Sequence, residues 1–448
     1  MTRWLYSCVL WLAQPLLRRK LARRGVLEPG YLHAVEQRFG YYSADVPKNE
    51  DEGSAGWVWV HAVSLGETRA AAILVHALRQ QMPGMRLLLT HGTATGRAEG
   101  QTLLAPGDMQ VWQPWDTPSA VRRFLTQFRP AGGFLMETEV WPNMVAICRL
   151  QGVPLVLANA RLNARSLARA QRLGWLARPA FAGLAAVWAQ SEDDAARLLH
   201  LGAPVRGVLG NIKFDAMPNP THLAQGQAWR PPQPVLLLAS AREGEEAELL
   251  EILKRLMPVT TTTQALPAIN NDKPSVQWLI VPRHPQRFDA IAALVQQQGF
   301  TLSRRSSWLP GTPPPAADIW LGDSLGEMAL YYSLAQAALL GGSFAPLGGQ
   351  NLIEAAACGC PVFMGPSVFN FAQAAAQAQQ AGAAWGNASM AQAVQQAIDL
   401  VNQPERQAHA SAAATQFAAA HQGAAQKTAE AVLALRISQA AYRSSPLK

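Results

Sequence analysis

Two stretches of the chain carry carboxylates in a setting suited to proton transfer. Residues 61–68 read H-A-V-S-L-G-E-T and residues 137–143 read E-T-E-V-W-P-N. A carboxylate placed beside a reacting hydroxyl can take its proton. Glu67 also has a structural reading, because Ser64 and Glu67 have capping-box spacing before the apolar run A-A-A-I-L-V. Gly66 is a poor helix former, and a glycine beside a carboxylate at a strand end suits close ligand approach. Of Glu137 and Glu139, one can assist catalysis while the other opens a helix. Other residues suit an anion. Arg283, in P-R-H-P, is either a grip for phosphate or carboxylate or a plain loop arginine. Residues 338–366 run A-L-L-G-G-S-F-A-P-L-G-G-Q-N-L-I-E-A-A-A-C-G-C-P-V-F-M-G-P. There a glycine pair leads into Asn351-Leu352-Ile353-Glu354, a capping-box pattern whose free N–H groups face an anion.

The surrounding residues predict the elements that hold these groups. Trp57–Val60 is a strand running into the Glu67 turn. Leu87–Thr90, Gly132–Met136, Leu155–Ala158 and Val187–Gln190 continue the sheet, with helical stretches between them. Proline-rich residues 216–233 mark a linker. A second sheet begins at Val235–Ala239 and continues through Trp278–Val281, Ile319–Leu321, the apolar run before Gly341, and Val362–Met364. Residues 258–275 read as a low-complexity surface loop. The resulting plan is a membrane-associated segment over 1–24, an α/β domain over 25–215, a linker, and an α/β domain over 234–448. At 448 residues the chain is too long for one core.

Composition narrows the partners. Nearly half the residues are apolar and the net charge is +8. Arg3, Arg18, Arg19, Lys20, Arg23 and Arg24 all precede the first acidic residue, Glu28. They follow or flank the apolar stretch W-L-Y-S-C-V-L-W-L-A-Q-P-L-L, which is shorter than the roughly 20 residues of a spanning helix. An apolar helix in the inner leaflet, backed by a basic collar, fits this pattern; a buried core helix and a short spanning anchor are the alternatives. Arg161, Arg165, Arg169 and Arg172 recur at helical spacing, as a solvated basic face or one that meets phosphorylated lipid. No nucleic-acid motif is present. The four cysteines lack zinc-ligand spacing, and no Asp-x-Asp metal motif occurs. No G-x-G-x-x-G follows a strand, which disfavours a dinucleotide oxidoreductase.

The segment E-A-A-A-C-G-C-P-V resembles the donor-site helix of glycosyltransferases built from two facing Rossmann-like domains. Taken with H-A-V-S-L-G-E-T, E-T-E-V-W-P-N, N-A-R-L, G-N-I-K-F-D, R-E-G-E-E, V-P-R-H-P-Q-R-F and G-D-S-L-G-E-M, in this order, the chain resembles the 3-deoxy-D-manno-octulosonic acid (Kdo) transferases of lipopolysaccharide synthesis. The resemblance implies a GT-B fold with a cleft between its domains. It implies inverting, metal-independent transfer of Kdo from CMP-Kdo to a lipid A precursor (lipid IVA) at the cytoplasmic face of the inner membrane. Glu67 matches the family's base, and Glu137 and Lys213 match residues assigned to transition-state stabilisation. Pro282, Arg283, Leu325, Gly326, Glu327, Asn351, Leu352, Ile353 and Glu354 match the CMP-contacting segments. The chain departs from the family pattern at Gln350 and near Ser367, where His is expected. The helix N-terminus is expected to favour ionised Glu67, which would make it a weaker base. A sugar-nucleotide epimerase on the same two-domain fold is the rival enzyme, and a membrane-surface scaffold is the non-enzymatic alternative.

Overall fold

The computed structural model describes residues 2–43, 56–256, 276–309 and 311–443. The 258–275 segment, read from sequence as a surface loop, lies outside the described residues. The chain divides into two units, Met1–Ala216 with Gln422–Lys448, and Met217–His421.

The first unit holds seven parallel strands: β1 (Val58–His61), β2 (Leu87–His91), β3 (Met109–Trp112), β4 (Gly132–Met136), β5 (Leu155–Ala160), β6 (Ala186–Ala189) and β7 (Val205–Val208). Their order is β3-β2-β1-β4-β5-β6-β7. The central strands are buried on both faces, as their near-continuous apolar runs require. Strand alternation sends Trp57 and Trp59 to one face, with Phe124, Phe128 and Leu157. It sends Val58 and Val60 to the other, with Leu74, Leu78 and Trp188. The order reverses between β1 and β4, so the chain leaves the sheet in opposite directions after these neighbours. A crevice at the carboxyl ends of such strands is where open α/β sheets bind ligands.

The second unit repeats the design with β8 (Val235–Ala241), β9 (Gln277–Pro282), β10 (Leu302–Arg304), β11 (Ile319–Leu321), β12 (Ala337–Leu340), β13 (Val362–Met364) and β14 (Ala384–Gly386). Their order is β10-β11-β9-β8-β12-β13-β14, all parallel, with the reversal between β8 and β12.

Two boundaries differ from the sequence reading. Residues 216–233 are not simply a linker, because Pro220–Ala228 form a helix of the second unit packed on the helix Met328–Leu334. The proline that suggested a break stands in the first turn, where its missing N–H costs nothing. Residues 422–448 do not belong with 234–421. Ala424, Ala425, Ala429 and Val432 pack into the first unit's core against the β1, β2 and β4 face. Asp215 fastens that return: its carboxylate accepts N–H bonds from Gly423 at 2.5 Å and Ala425 at 2.6 Å.

Asp215 therefore caps the returning helix. Asp215→Ala is expected to lower unfolding free energy by about 1–3 kcal/mol, read as a lower denaturation midpoint. An unchanged midpoint would show that apolar packing alone holds the segment.

Candidate functional site

β1 ends at His61, and Ala62-Val63 carry the chain to Ser64, the N-cap of the helix Leu65–Gln81. Ser64 Oγ accepts the Glu67 N–H and donates to Glu67 Oε1 at 3.0 Å. The Val63 N–H donates to Glu67 Oε2 at 2.9 Å. Ser64 thus caps the helix, while the Glu67 carboxylate reaches back to the N–H one residue before the cap, and these bonds fix it at the mouth of the sheet. A side-chain carbon added at Gly66 would meet nothing within 4 Å, so the surface beside Glu67 is open.

Glu137 follows β4, the neighbour of β1 across the strand-order reversal. Its backbone is left-handed, with φ of 57°, a conformation unusual for a non-glycine residue. Both sides of the residue are tied: its N–H donates to Ala158 O and its carbonyl accepts the Arg161 N–H, each at 3.1 Å. Lys213 Nζ donates to Glu137 Oε1 at 2.7 Å. Asn159 makes this reach possible. It sits at an irregularity in β5 with φ of 52°, and its Oδ1 accepts the Ile212 N–H at 3.0 Å. Asn211 Oδ1 in turn accepts the Lys213 N–H at 3.0 Å. The N-A-R-L and G-N-I-K motifs are therefore supports that bring Lys213 to Glu137. Spacing did not reveal Asn159 as the link, although the motif containing it was visible.

Burial acts on Glu67 more strongly than the helix end does. It pushes the carboxyl up to about 7; the Val63 N–H opposes the shift, the charges of Glu137 and Glu139 add to it, and Ser64 opposes it. The helix end was expected to favour the ionised form and weaken the base, but burial outweighs it and holds the carboxyl up at about 7. Burial also raises Glu139, against the bond from Trp141 Nε1 at 3.0 Å. Glu139 neither caps a helix nor contacts Lys213 among the described bonds. The helix Pro142–Leu150 starts at Trp141.

In the second unit the residues matched to CMP contacts lie at strand ends and in the loops after them. Pro282 closes β9 and is buried, while Arg283 is exposed, its N–H bonded to Ala241 O at 2.9 Å. Leu325 is exposed beside Gly326, whose φ is 78°. Glu327 pairs with Arg305 Nη2 at 2.8 Å and accepts a bond from Ser324 Oγ. Asn351 Oδ1 caps the short helix Leu352–Ala357 by accepting the Ile353 N–H at 3.1 Å. Leu352 and Ile353 are buried, so they seat the loop by packing. Glu354 lies in the first turn of the helix.

Several supports were not singled out from sequence. Buried Glu245, in R-E-G-E-E, accepts N–H bonds from Gly342 at 2.8 Å, Phe344 at 3.2 Å and Arg242 at 2.8 Å. It holds the glycine loop after β12 to the turn after β8. Gly341 is obligatory there, because a side-chain carbon would lie 2.4 Å from Ser240 O. Its neighbour Glu246 takes both guanidinium N–H groups of Arg287, at 2.7 and 3.0 Å. Arg304 and Arg305 hold both carboxylates of the 322–328 loop, Arg304 Nε reaching Asp323 at 2.7 Å. Among the described residues no group of three or more His, Cys, Asp or Glu side chains is arranged to hold a metal ion.

Residues 33–216 match the family model described as 3-deoxy-D-manno-octulosonic-acid transferase (kdotransferase). The 3-deoxy-D-manno-octulosonic acid transferase of Bordetella pertussis is 44% identical over 440 residues, covering 96% of this chain and 99% of that protein. A glycosyltransferase from Rickettsia africae has a similar structure, with a TM-score of 0.54 at 12% identity over 85% of this chain and 98% of its own. So does a UDP-GlcNAc 2-epimerase from Neisseria meningitidis, at 0.53 and 14% over 85% and 99%. The fold is thus shared by transferases and epimerases and does not separate them, whereas the sequence relationship does. The chain belongs to the 3-deoxy-D-manno-octulosonic acid transferase family.

Proposed function

We propose that the protein transfers Kdo from CMP-Kdo to a lipid A precursor, lipid IVA, with Glu67 as general base and inversion at the anomeric carbon. The observation that carries the reading is the placement of Glu67 and the Glu137–Lys213 pair at one end of the first sheet, with Glu67 lifted to about 7. In the reaction, an acceptor hydroxyl oxygen bonds to the anomeric carbon of Kdo. The bond from that carbon to the CMP phosphate oxygen breaks, and its electron pair leaves with CMP. The hydroxyl proton passes to Glu67. A base with a pKa near the working pH combines a large ionised fraction with enough basicity to draw the proton.

The Lys213 ammonium offsets the charge of Glu137 beside the reacting centre. On this reading it stabilises the arrangement of charge in the transition state. The first unit receives the acceptor and the second binds the donor. Arg283, exposed at the end of β9, takes the departing phosphate. The loop 322–328 and the glycine loop leading to Asn351–Glu354 surround the nucleotide. The motifs that match the family's donor segments support this assignment, and the mechanism contains no metal-dependent step. The protein works at the cytoplasmic face of the inner membrane, held by its basic, apolar N-terminal segment. Among the described residues no helix is long and apolar enough to cross a membrane. The epimerase alternative shares the fold but has no use for a lipid-facing segment.

The test is product mass after incubation with CMP-Kdo and tetraacylated lipid A precursor. The wild type is expected to add Kdo mass, and Glu67→Ala to lose 10²–10⁴-fold in kcat, about the contribution of one general base. A variant that keeps most activity would return Glu67 to a purely capping role. No transfer to any acceptor by folded protein would overturn the function.

The pH profile is a second test. The base must be unprotonated, so kcat/KM should rise with pH and level off above about 7. Glu139→Gln removes a charge that raises Glu67, so the midpoint should move to lower pH. A midpoint near 4.5 in the wild type would mean that burial does not control this carboxyl.

A further inference from the structure

The N-terminal helix Thr2–Leu12 has two unlike sides. One exposes Trp4, Leu5, Val9, Trp11 and Leu12, between 56% and 71% accessible. Spacings of seven stack Trp4 with Trp11 and Leu5 with Leu12 along that side. The other side meets the first unit through polar bonds. The half-buried Tyr6 side chain lies beside Asp116, whose charge adds to the effect of burial in raising its hydroxyl above the usual range. Ser7 Oγ accepts from Asn143 Nδ2 at 3.0 Å. Asp116 and Asn143 are both buried and bonded to each other: Asn143 N–H donates to Asp116 Oδ2 at 3.0 Å and its side-chain amide to Asp116 O at 2.6 Å. The Met144 N–H donates to Asp116 Oδ1 at 2.7 Å.

These bonds end on the segment that carries the chemistry. Asn143 is the last residue of E-T-E-V-W-P-N and stands in the first turn of the helix Pro142–Leu150, six residues after Glu137. A tether that merely kept the enzyme near a bilayer would need no buried polar partners. The helix also packs beside the helix Gly174–Ala182. At the start of that helix Leu173 is 53% and Trp175 44% accessible, with Arg169, Arg172 and Arg178 exposed nearby. The next helix, Gln14–Leu27, exposes Arg19, Lys20 and Arg23, which run along one face with Leu16 and Leu27. Tryptophan and leucine on adjoining elements, flanked by cations, match a lipid interface with anionic headgroups.

We propose that the helix Thr2–Leu12 and the Leu173–Trp175 corner form one docking face for an anionic bilayer, and that the Tyr6–Asp116 and Ser7–Asn143 contacts lock this face to the Glu137 segment. The lock acts as a positioning device and rests on the lipid-acceptor reading. It sets the height of the catalytic carboxylates above a bilayer that holds the acceptor. The corner at 173–175 supplies a second point of attachment, which stops the domain from swivelling about the N-terminal helix.

Two full-length double variants test the two halves, with wild type beside them. Flotation with vesicles of phosphatidylethanolamine and phosphatidylglycerol reads docking. Leu173→Ser with Trp175→Ser should weaken vesicle binding at least several-fold at an unchanged melting temperature. Wild type should bind phosphatidylcholine vesicles at least tenfold more weakly. Equal binding by the variant overturns the corner, and equal binding to the two vesicles overturns the anionic requirement. Tyr6→Phe with Ser7→Ala reads the lock. It should keep vesicle binding and activity on acceptor dispersed in detergent micelles, but lose several-fold in kcat on acceptor embedded in vesicles. An unchanged ratio of vesicle to micelle activity overturns the lock. The vesicle-binding results stand without any transfer activity, so failure of the acceptor reading is distinguishable from failure of the docking face.

Discussion

The first unit turns on one ion pair, Lys213 to Glu137 at 2.7 Å. Glu67, Glu137 and Glu139 crowd the carboxyl ends of two adjacent strands, and the charges of the latter two already raise Glu67. Like charges at such separation disfavour ionisation of the group. The cation that pairs with Glu137 comes from beyond β7, three strands from β4 in the sheet. Bringing it there requires a left-handed Glu137, a left-handed Asn159 and an Asn159–Ile212 bond. Backbone strain of this kind costs of order 1–3 kcal/mol per residue and persists only where surrounding bonds over-determine it. The bonds on both sides of Glu137 do so. Several motifs that looked separate along the chain are one device in space.

The second unit uses carboxylates differently. Glu245, Glu246, Asp323 and Glu327 are all engaged by backbone N–H groups or arginines. Glu245 replaces the missing partners of a glycine loop whose close approach to β8 leaves no space for side chains. Arg304 and Arg305 clamp the loop after β11 by its two ends, so that its tip at Leu325-Gly326 is presented outward. A loop held at both ends and exposed at its centre meets a ligand with little ordering cost. These four acidic residues hold loops in place, as Asp215 and Asp116 do in the first unit, whereas Glu67 there is raised by burial and by neighbouring carboxylates.

Much of the fold was legible because parallel strands buried on both faces are continuous apolar runs. Gly132–Met136, Ile319–Leu321 and Val362–Met364 have the bounds that their composition predicts. β3, β7, β10 and β14 were not legible as strands. All four stand at sheet edges and are only partly buried, so their hydrophobic signal is weak. The return of residues 422–448 to the first unit was illegible for another reason. Alanine-rich helices carry periodicity but no address, and the bond that fixes this one joins residues more than 200 positions apart. At the site, residue types and turns were readable, but the supports were not. Asn159, Glu245 and the Asp116–Asn143 pair act through contacts across strands, which local spacing does not encode.

Glu67 shows why a structural and a chemical role need not compete. The Ser64 cap was visible in S-L-G-E and is present, yet Glu67 turns back to the Val63 N–H beyond it and is not an ordinary cap. An exposed cap gains ionisation from the helix end, so its basicity falls. Here burial outweighs the two favourable hydrogen bonds, and neighbouring carboxylates push in the same direction as burial. The cap then fixes orientation while the environment sets basicity, and the two are controlled by different residues. Ser64 and Val63 govern where the oxygen points; the packing around it, with Glu137 and Glu139, governs when it accepts a proton. On the proposed mechanism such a division keeps an aimed base near neutrality, because strengthening the aim with one more hydrogen bond to the ionised form would lower its basicity.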